Sequence, residues 1–275
     1  MTAGYPAEAI RSARSFLFVP ANRPDRFAKA VAAQPDIVLI DLEDAVAPAE
    51  KDVARGHLHA WLADGNRALV RINAADTPWH EADLALIAEF AAPVMVAKAE
   101  RAESIRQIAN CARGITVVPL VESAAGVAAV QTIGAVDGVE RLAFGNIDLA
   151  NELGVDPDDR DALAYVRSRL VVESAALGLA PPIDGVTTVF DQPGTVAEAF
   201  TYVKRLGMSA KLCIHPAQVG EVHAAARPSA DEVAWARKIA ASSGYQGSAV
   251  AVDGRMVDIP VVERARRILQ AAERP

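Results

Sequence analysis

Glu122 and Asp148 are the residues of this chain whose types and positions best suit chemistry. Glu122 closes the run Ile115-Thr116-Val117-Val118-Pro119-Leu120-Val121, and Asp148 follows Phe144-Gly145-Asn146-Ile147. If these runs are neighbouring buried strands, the two carboxylates can share one hard divalent cation and leave its other positions to water and substrate oxygens, as magnesium prefers. Either residue could instead cap the helix that follows it. Arg71, in Val70-Arg71-Ile72-Asn73, offers a planar two-pronged cation suited to a carboxylate. Its alternative use is an ion pair with Asp41 or Glu43. Asp41 and Glu43 stand two apart, on one strand face, and with Asp44 they can order water around a cation or neutralise Arg71 and Lys98. His215, in Ile214-His215-Pro216, reads first as a hydrogen-bonded structural residue. His57, His59, His80 and His223 lack a carboxylate or cysteine partner at ligand spacing and receive no role.

Positioning these groups requires strands that end in charge. Ile37-Val38-Leu39-Ile40 runs into Asp41, Glu43 and Asp44, Val94-Met95-Val96-Ala97 into Lys98, and Arg71 and Glu122 end two further runs. Near-continuous β-branched stretches are the mark of strands buried on both faces of a parallel sheet. Eight are readable, at residues 15–20, 37–44, 68–73, 94–98, 115–122, 139–144, 182–186 and 211–214, and each but the last is clearly followed by a helix-length segment. The pattern predicts an α/β fold, a (β/α)8 TIM barrel, whose catalytic mouth lies at the strand C-termini. Neither GxGxxG after the first strand nor GxxxxGK[ST] anywhere occurs, which counts against nucleotide-binding alternatives. Past the barrel, a helix over 229–242, an Asp253-Gly254 hairpin signal and a helix over 260–273 predict a C-terminal helix-hairpin-helix extension. The expected division is a barrel domain at 1–220 and an extension at 221–275, the latter contacting a neighbouring subunit.

Composition narrows the class. A 52% hydrophobic content with 5% aromatics fits helices packed on a parallel sheet, and 275 residues fit one barrel. The net charge of -7 argues against a nucleic-acid partner. Arg14, Arg23, Arg26 and Lys29 form the one basic concentration, fit for the phosphates of a coenzyme A or acyl-carrier arm, or simply an exposed helix face. Cys111 and Cys213 form no disulfide or zinc pattern. With no leader-like or membrane-length apolar stretch, a cytoplasmic protein without a membrane partner is expected.

Eight ordered motifs carry a resemblance. They are Arg14-Ser15-Phe16-Leu17-Phe18-Val19-Pro20-Ala21, Asp41-Leu42-Glu43-Asp44-Ala45-Val46, Val70-Arg71-Ile72-Asn73, Ala97-Lys98-Ala99-Glu100, Pro119-Leu120-Val121-Glu122-Ser123, Phe144-Gly145-Asn146-Ile147-Asp148-Leu149, Cys213-Ile214-His215-Pro216-Ala217-Gln218 and Asp253-Gly254-Arg255-Met256-Val257-Asp258. In this order they resemble the citrate lyase beta-subunit-like proteins of the HpcH/HpaI aldolase superfamily over nearly the whole chain. The resemblance implies a magnesium-dependent (β/α)8 carbon-carbon lyase acting on a 3-hydroxyacyl thioester, such as a citryl, malyl or citramalyl thioester of coenzyme A. It implies Glu122 and Asp148 as Mg2+ ligands, with Glu122 also beside the substrate. Arg71 becomes the partner of the substrate carboxylate, and Glu43 and Asp44 the carboxylates behind the ligands. Asp258 is implied as an acid/base residue reaching a neighbouring subunit, which makes a homo-oligomer, with a trimer favoured, the expected assembly. The alternatives are a thioester hydrolase on the same scaffold, the beta subunit of a multi-subunit citrate lyase using an acyl-carrier protein, and a non-catalytic binding barrel. Two departures from the family pattern stand out: Ala97 replaces a common proline, and Ile147 replaces a common acidic residue before Asp148.

Overall fold

The structure, a computed structural model, describes residues 4–242, 250–252 and 255–273. The chain divides into two compact units, Met1–His223 and Ala224–Pro275. In order, the elements are α1 (Ala7–Ser12), β1 (Ser15–Pro20), α2 (Phe27–Ala32), β2 (Ile37–Asp41), α3 (Lys51–Ala63), β3 (Leu69–Ile72), α4 (His80–Phe90), β4 (Val94–Val96), α5 (Ala102–Cys111), β5 (Val117–Val121) and α6 (Ala124–Gly134). Then come β6 (Arg141–Phe144), α7 (Asn146–Leu153), α8 (Ala164–Ala176), β7 (Ala180–Asp184), α9 (Thr195–Leu206), β8 (Ala210–Cys213) and α10 (Pro216–Ala226). The last elements are α11 (Ala230–Ala241), β9 (Val250–Val252), β10 (Arg255–Val257) and α12 (Ile259–Ala272).

Strands β1 to β8 form a closed parallel barrel in sequence order. The β1–β8 seam closes it, with Phe16 opposite Leu212. Phe16, Leu39, Leu69, Met95, Val118, Leu120, Ile183 and Leu212 belong to one buried cluster, so alternate side chains fill the barrel as a packed core. Ile10 and Ala13 join the same cluster. They come from α1 and the residue after it, and Arg141 locks that segment by donating to the carbonyls of Ile10 (3.1 Å) and Ala13 (2.7 Å). This helix is a difference from the sequence reading. Six residues with one core side chain carry too little periodicity to announce a helix, and its stability comes from packing and from Arg141.

Two further differences concern the later units. β6 is followed by two helices, α7 and α8, and β8 is followed by α10, a helix that the sequence pattern does not clearly announce. β7 begins at Ala180, earlier than the expected 182, and takes in Pro181 and Pro182. Those prolines lack N–H groups but still accept: the Pro181 carbonyl takes Arg141 Nε at 2.6 Å and the Pro182 carbonyl takes Ser209 N at 3.2 Å.

The second unit has its own small core of Ala236, Ile239, Val257, Val262 and Ala265, with Trp235, Ile268 and Leu269 packed on it. Ser229 starts α11 with a capping box closed by Glu232. β9 and β10 pair antiparallel, Val252 opposite Arg255. Asp253 and Gly254, expected to form the hairpin, lie outside the described residues.

Candidate active site

The barrel mouth opens into a cavity of about 780 Å³ whose lining includes Glu122, Asp148, Arg71, Asp41 and Asp44, and also Arg23, Arg26 and Lys29. Glu122, Arg71 and Asp148 arrive from three different strand ends. β5 delivers Glu122 one residue past its end, β3 carries Arg71, and β6 turns through Gly145 into α7, which places Asp148 in its first turn. That turn depends on glycine. A Cβ at Gly145 would stand 2.4 Å from Glu122 Cβ and 2.7 Å from Glu122 Oε2, so any other residue would push the carboxylate away. Asn146 then fastens the turn to the segment after β7, donating to Val186 O (3.1 Å) and accepting from Val186 N (2.9 Å).

Glu122 is buried and accepts a 2.7 Å hydrogen bond from Lys98 N at Oε1. Lys98 holds that place in a left-handed conformation, φ 48°, unusual for a residue with a side chain. Burial pushes the Glu122 carboxyl up to about 8, with the charges of Glu43 and Asp148 reinforcing it and Arg71 opposing. Glu43 is likewise pushed up to about 7, chiefly by burial and then by Asp44 and Asp41 against Arg71. For Lys98, partial burial favours the neutral amine, but the charges of Glu43, Asp44, Asp148 and Glu122 outweigh it and raise its pKa. The mouth is therefore a place where buried carboxylates outnumber cations, and it is short of positive charge.

That shortage suits a divalent cation. Among the described residues no group of three or more His, Cys, Asp or Glu side chains forms a full metal cage. Two carboxylates facing one cavity are what a hard cation that keeps several waters requires, so Glu122 and Asp148 are the pair that could hold one. Neither caps its helix with its side chain: α6 is capped by Ser123, whose Oγ accepts from Gly126 N, and α7 begins after Gly145 with no side-chain cap.

Arg71 is engaged as its alternative reading described. Nε and Nη2 grip Asp41 at 2.7 and 2.6 Å, and Nη1 stands 3.2 Å from Glu43 Oε2 and 3.9 Å from Asp44. The guanidinium also lies 4.8 Å over the Phe18 ring. Burial works against its charge, but Asp41 and then Glu43 and Glu122 keep it protonated, with its pKa raised. The Nε/Nη2 edge of the fork is thus committed to Asp41, and what is left for a ligand is the second N–H of Nη2 and the N–H groups of Nη1, which already stand beside Glu43 and Asp44. Glu43 does not line the cavity; it stands behind Arg71, and its buried Oε2 has the ion pair but no hydrogen bond.

The remaining expectations fall in different places. Ile147, 37% exposed, lines the cavity beside Asp148. His215 also lines the cavity; its Nδ1 accepts from Ala217 N (3.2 Å) and its ring stacks on Phe190 at 5.1 Å, just before α10. Asp258 belongs to the second unit, where it caps α12 by accepting from Val261 N (3.3 Å). Arg14, the fourth residue of the basic concentration, faces away from this role: its side chain pairs with Asp36 at 3.1 Å. Sequence reasoning missed Asn146, Lys51 and Phe18, because amides, helix-start lysines and core aromatics have no chemical signature until their partners are known.

A citrate lyase subunit beta-like protein from Mycobacterium tuberculosis is 38% identical over 265 residues, 94% of each chain. A (3S)-malyl-CoA thioesterase from Cereibacter sphaeroides is 34% identical over 271 residues, again 94% of each. Protein CitE from M. tuberculosis, solved in complex with magnesium, acetoacetate and coenzyme A, superposes with a TM-score of 0.84 at 35% identity, covering 96% of this chain and 100% of that one. The model of the HpcH/HpaI aldolase/citrate lyase family matches residues 14–216. Since that stretch contains every strand of the barrel and every residue lining the cavity, this chain belongs to the HpcH/HpaI aldolase/citrate lyase family.

Proposed function

We propose that this protein is a magnesium-dependent carbon-carbon lyase that cleaves a 3-hydroxyacyl-CoA thioester by retro-Claisen chemistry, releasing a keto acid and a shorter acyl-CoA. One observation carries the reading: a single cavity is lined by Glu122, Asp148 and Arg71 and also by Arg26 and Lys29. A cation and a carboxylate fit the first group, and the phosphates of a coenzyme A arm fit the second. A volume of about 780 Å³ accommodates the acyl end and part of that arm.

Glu122 and Asp148 hold the metal, which when bound polarises substrate oxygens as a Lewis acid and makes the hydroxyl acidic. The Nη1/Nη2 end of Arg71 orients the substrate carboxylate, and its fixed charge offsets the negative charge that develops as the thioester enolate leaves. Glu43 and Asp41 keep that guanidinium in place. As the carbon-carbon bond breaks, its electron pair passes to the enolate, while the hydroxyl gives its proton to solvent water and becomes the carbonyl of the keto acid. A carboxyl group then protonates the enolate carbon, and by family resemblance we assign this to Asp258, a step typically worth about 10²- to 10⁴-fold.

Similarity to (3S)-malyl-CoA thioesterase favours a second reading, hydrolysis of the same thioester to free acid and thiol. A panel of 3-hydroxyacyl-CoA thioesters separates the two. Keto-acid release that is abolished by EDTA and restored by Mg2+ supports the lyase, whereas free coenzyme A without keto acid establishes the hydrolase.

We further propose a cytoplasmic homotrimer in which residues 221–275 of one subunit supply Asp258 to the site of another. A closed ring passing such a tail head to tail is a heterologous interface. Arg71→Ala and Asp258→Ala are each expected to be nearly inactive, and random co-assembly in equal amounts should recover about a quarter of wild-type sites, since half the bodies and half the tails are intact. No recovery above either variant alone would place Asp258 outside this role. Among the described residues no helix is long and apolar enough to cross a membrane.

A further inference from the structure

We infer that Lys51 is a positioning residue for this site, tying the ends of β2 and β3 together and so setting where Arg71 and Glu43 stand. The inference rests on the reading of Arg71 as the partner of the substrate carboxylate. Regular pairing between β2 and β3 ends at Asp41 opposite Arg71. Glu43 lies two residues beyond that last pair, where the ladder no longer holds the chain.

Lys51 takes over there. It opens α3, is 4% exposed and does not line the cavity. Its Nζ donates three hydrogen bonds of 2.7 Å, to Leu42 O, Glu43 O and Asn73 Oδ1, which uses every N–H an ammonium has. Trp79 closes over it with the ring centroid 5.1 Å from Nζ. Asn73 returns the link, donating from Nδ2 to Leu42 O at 3.0 Å and to Asp83 Oδ2 at 2.6 Å, and Arg55 fixes Asp83 from α3 at 2.9 Å. Lys51 makes no hydrogen bond to a carboxylate, so it is not the cation of a simple ion pair. A lysine is rarely buried this fully, and here its whole donor capacity fixes backbone carbonyls and the amide two residues past Arg71.

The test uses the full-length protein and two 3-hydroxyacyl-CoA substrates, one with and one without the carboxylate on the hydroxyl-bearing carbon. Lys51→Met keeps the length and removes the three donors. We expect folded protein by circular dichroism and magnesium affinity by calorimetry within about twofold of wild type. The kcat/KM on the carboxylated substrate should fall roughly 10- to 100-fold, the scale of a misplacement near 1 Å, with a smaller fall on the other substrate. In an Arg71→Lys background Lys51→Met should cost no more than about twofold further, because both changes act on one group. Equal losses on the two substrates, or losses that multiply with those of Arg71→Lys, would overturn the proposal. Lys51→Gln is the milder second variant and should repeat the pattern on a smaller scale. Failure of both variants to fold would make Lys51 a stability residue and overturn the proposal too. Failure of the underlying reading is seen separately, as Arg71→Lys alone losing equally on both substrates.

Discussion

Two buried charge clusters in the barrel use the same residue types to opposite ends. Between β7, β8 and α8, Asp184 is held by Lys211 Nζ at 2.8 Å and Arg167 Nε at 2.9 Å, one carboxylate between two cations. At the mouth, Arg71 serves Asp41 and Glu43 while Glu122 and Asp148 share the cavity with it. Burial alone would raise the Asp184 carboxyl, but Lys211 and Arg167 more than offset it and hold it below its ordinary value. Glu122, with one backbone N–H for a partner, is instead pushed up to about 8 by burial. A buried carboxylate already paired with cations of the fold belongs to the scaffold, whereas a cluster left short of positive charge has room for a cation from solution.

Breaking each cluster should therefore damage a different property. Asp184→Asn removes the shared anion and leaves Lys211 and Arg167 facing each other in a buried site. The expected loss is about 3–5 kcal/mol of stability by denaturant titration, with kcat/KM of the remaining folded protein little changed. An unchanged unfolding midpoint would contradict the assignment of this cluster to scaffolding. Glu122→Gln keeps side-chain volume and removes the carboxylate proposed to hold the metal. Turnover should fall about 10²- to 10³-fold with weakened magnesium binding, while the unfolding midpoint holds. Retained magnesium-dependent activity would count against the mouth as a cation site.

Arg71→Lys sharpens the comparison from the substrate side. Lysine keeps the charge but loses the fork that reaches Asp41 and a ligand together, so kcat/KM should drop roughly 10- to 100-fold on carboxylated substrates and less on uncarboxylated ones. The smallest effect is in acid. Asp184 has a folded pKa below its ordinary 3.8, so its contribution is fully present above that value and is lost as pH falls through the lowered one. The stability gap between wild type and Asp184→Asn should stay constant from neutrality down to the ordinary carboxylate range and shrink below it. A gap independent of pH throughout the acid limb would show that Asp184 is not the group responsible.

The order of strands and helices was legible because each strand is a short local run with its own periodicity and its own charged end. β1 occupies residues 15–20 as read, and β2 to β6 fall inside their expected runs. What a run of residues states locally, burial on both faces only reinforces. The same logic singled out Arg71 in β3 and Glu122 one residue past β5 as charges on buried strands, whereas Asp148 stands beyond β6, in the first turn of α7.

What the fold alone decided are pairings between residues far apart in the chain. That Asp41 takes the Nε edge of Arg71 depends on β2–β3 register, which sets the two residues opposite each other. That Gly145 must be glycine depends on how closely β6 passes Glu122. That α1 packs into the barrel core depends on Arg141, some 130 residues away, reaching its last carbonyls. Lys51 reads in sequence as an ordinary residue at the start of an amphipathic helix, and only the packing of that helix turns its ammonium towards Leu42, Glu43 and Asn73. Periodicity records which residues are buried, but a hydrogen bond needs a partner within about 3 Å, and closure of the barrel is what selects that partner.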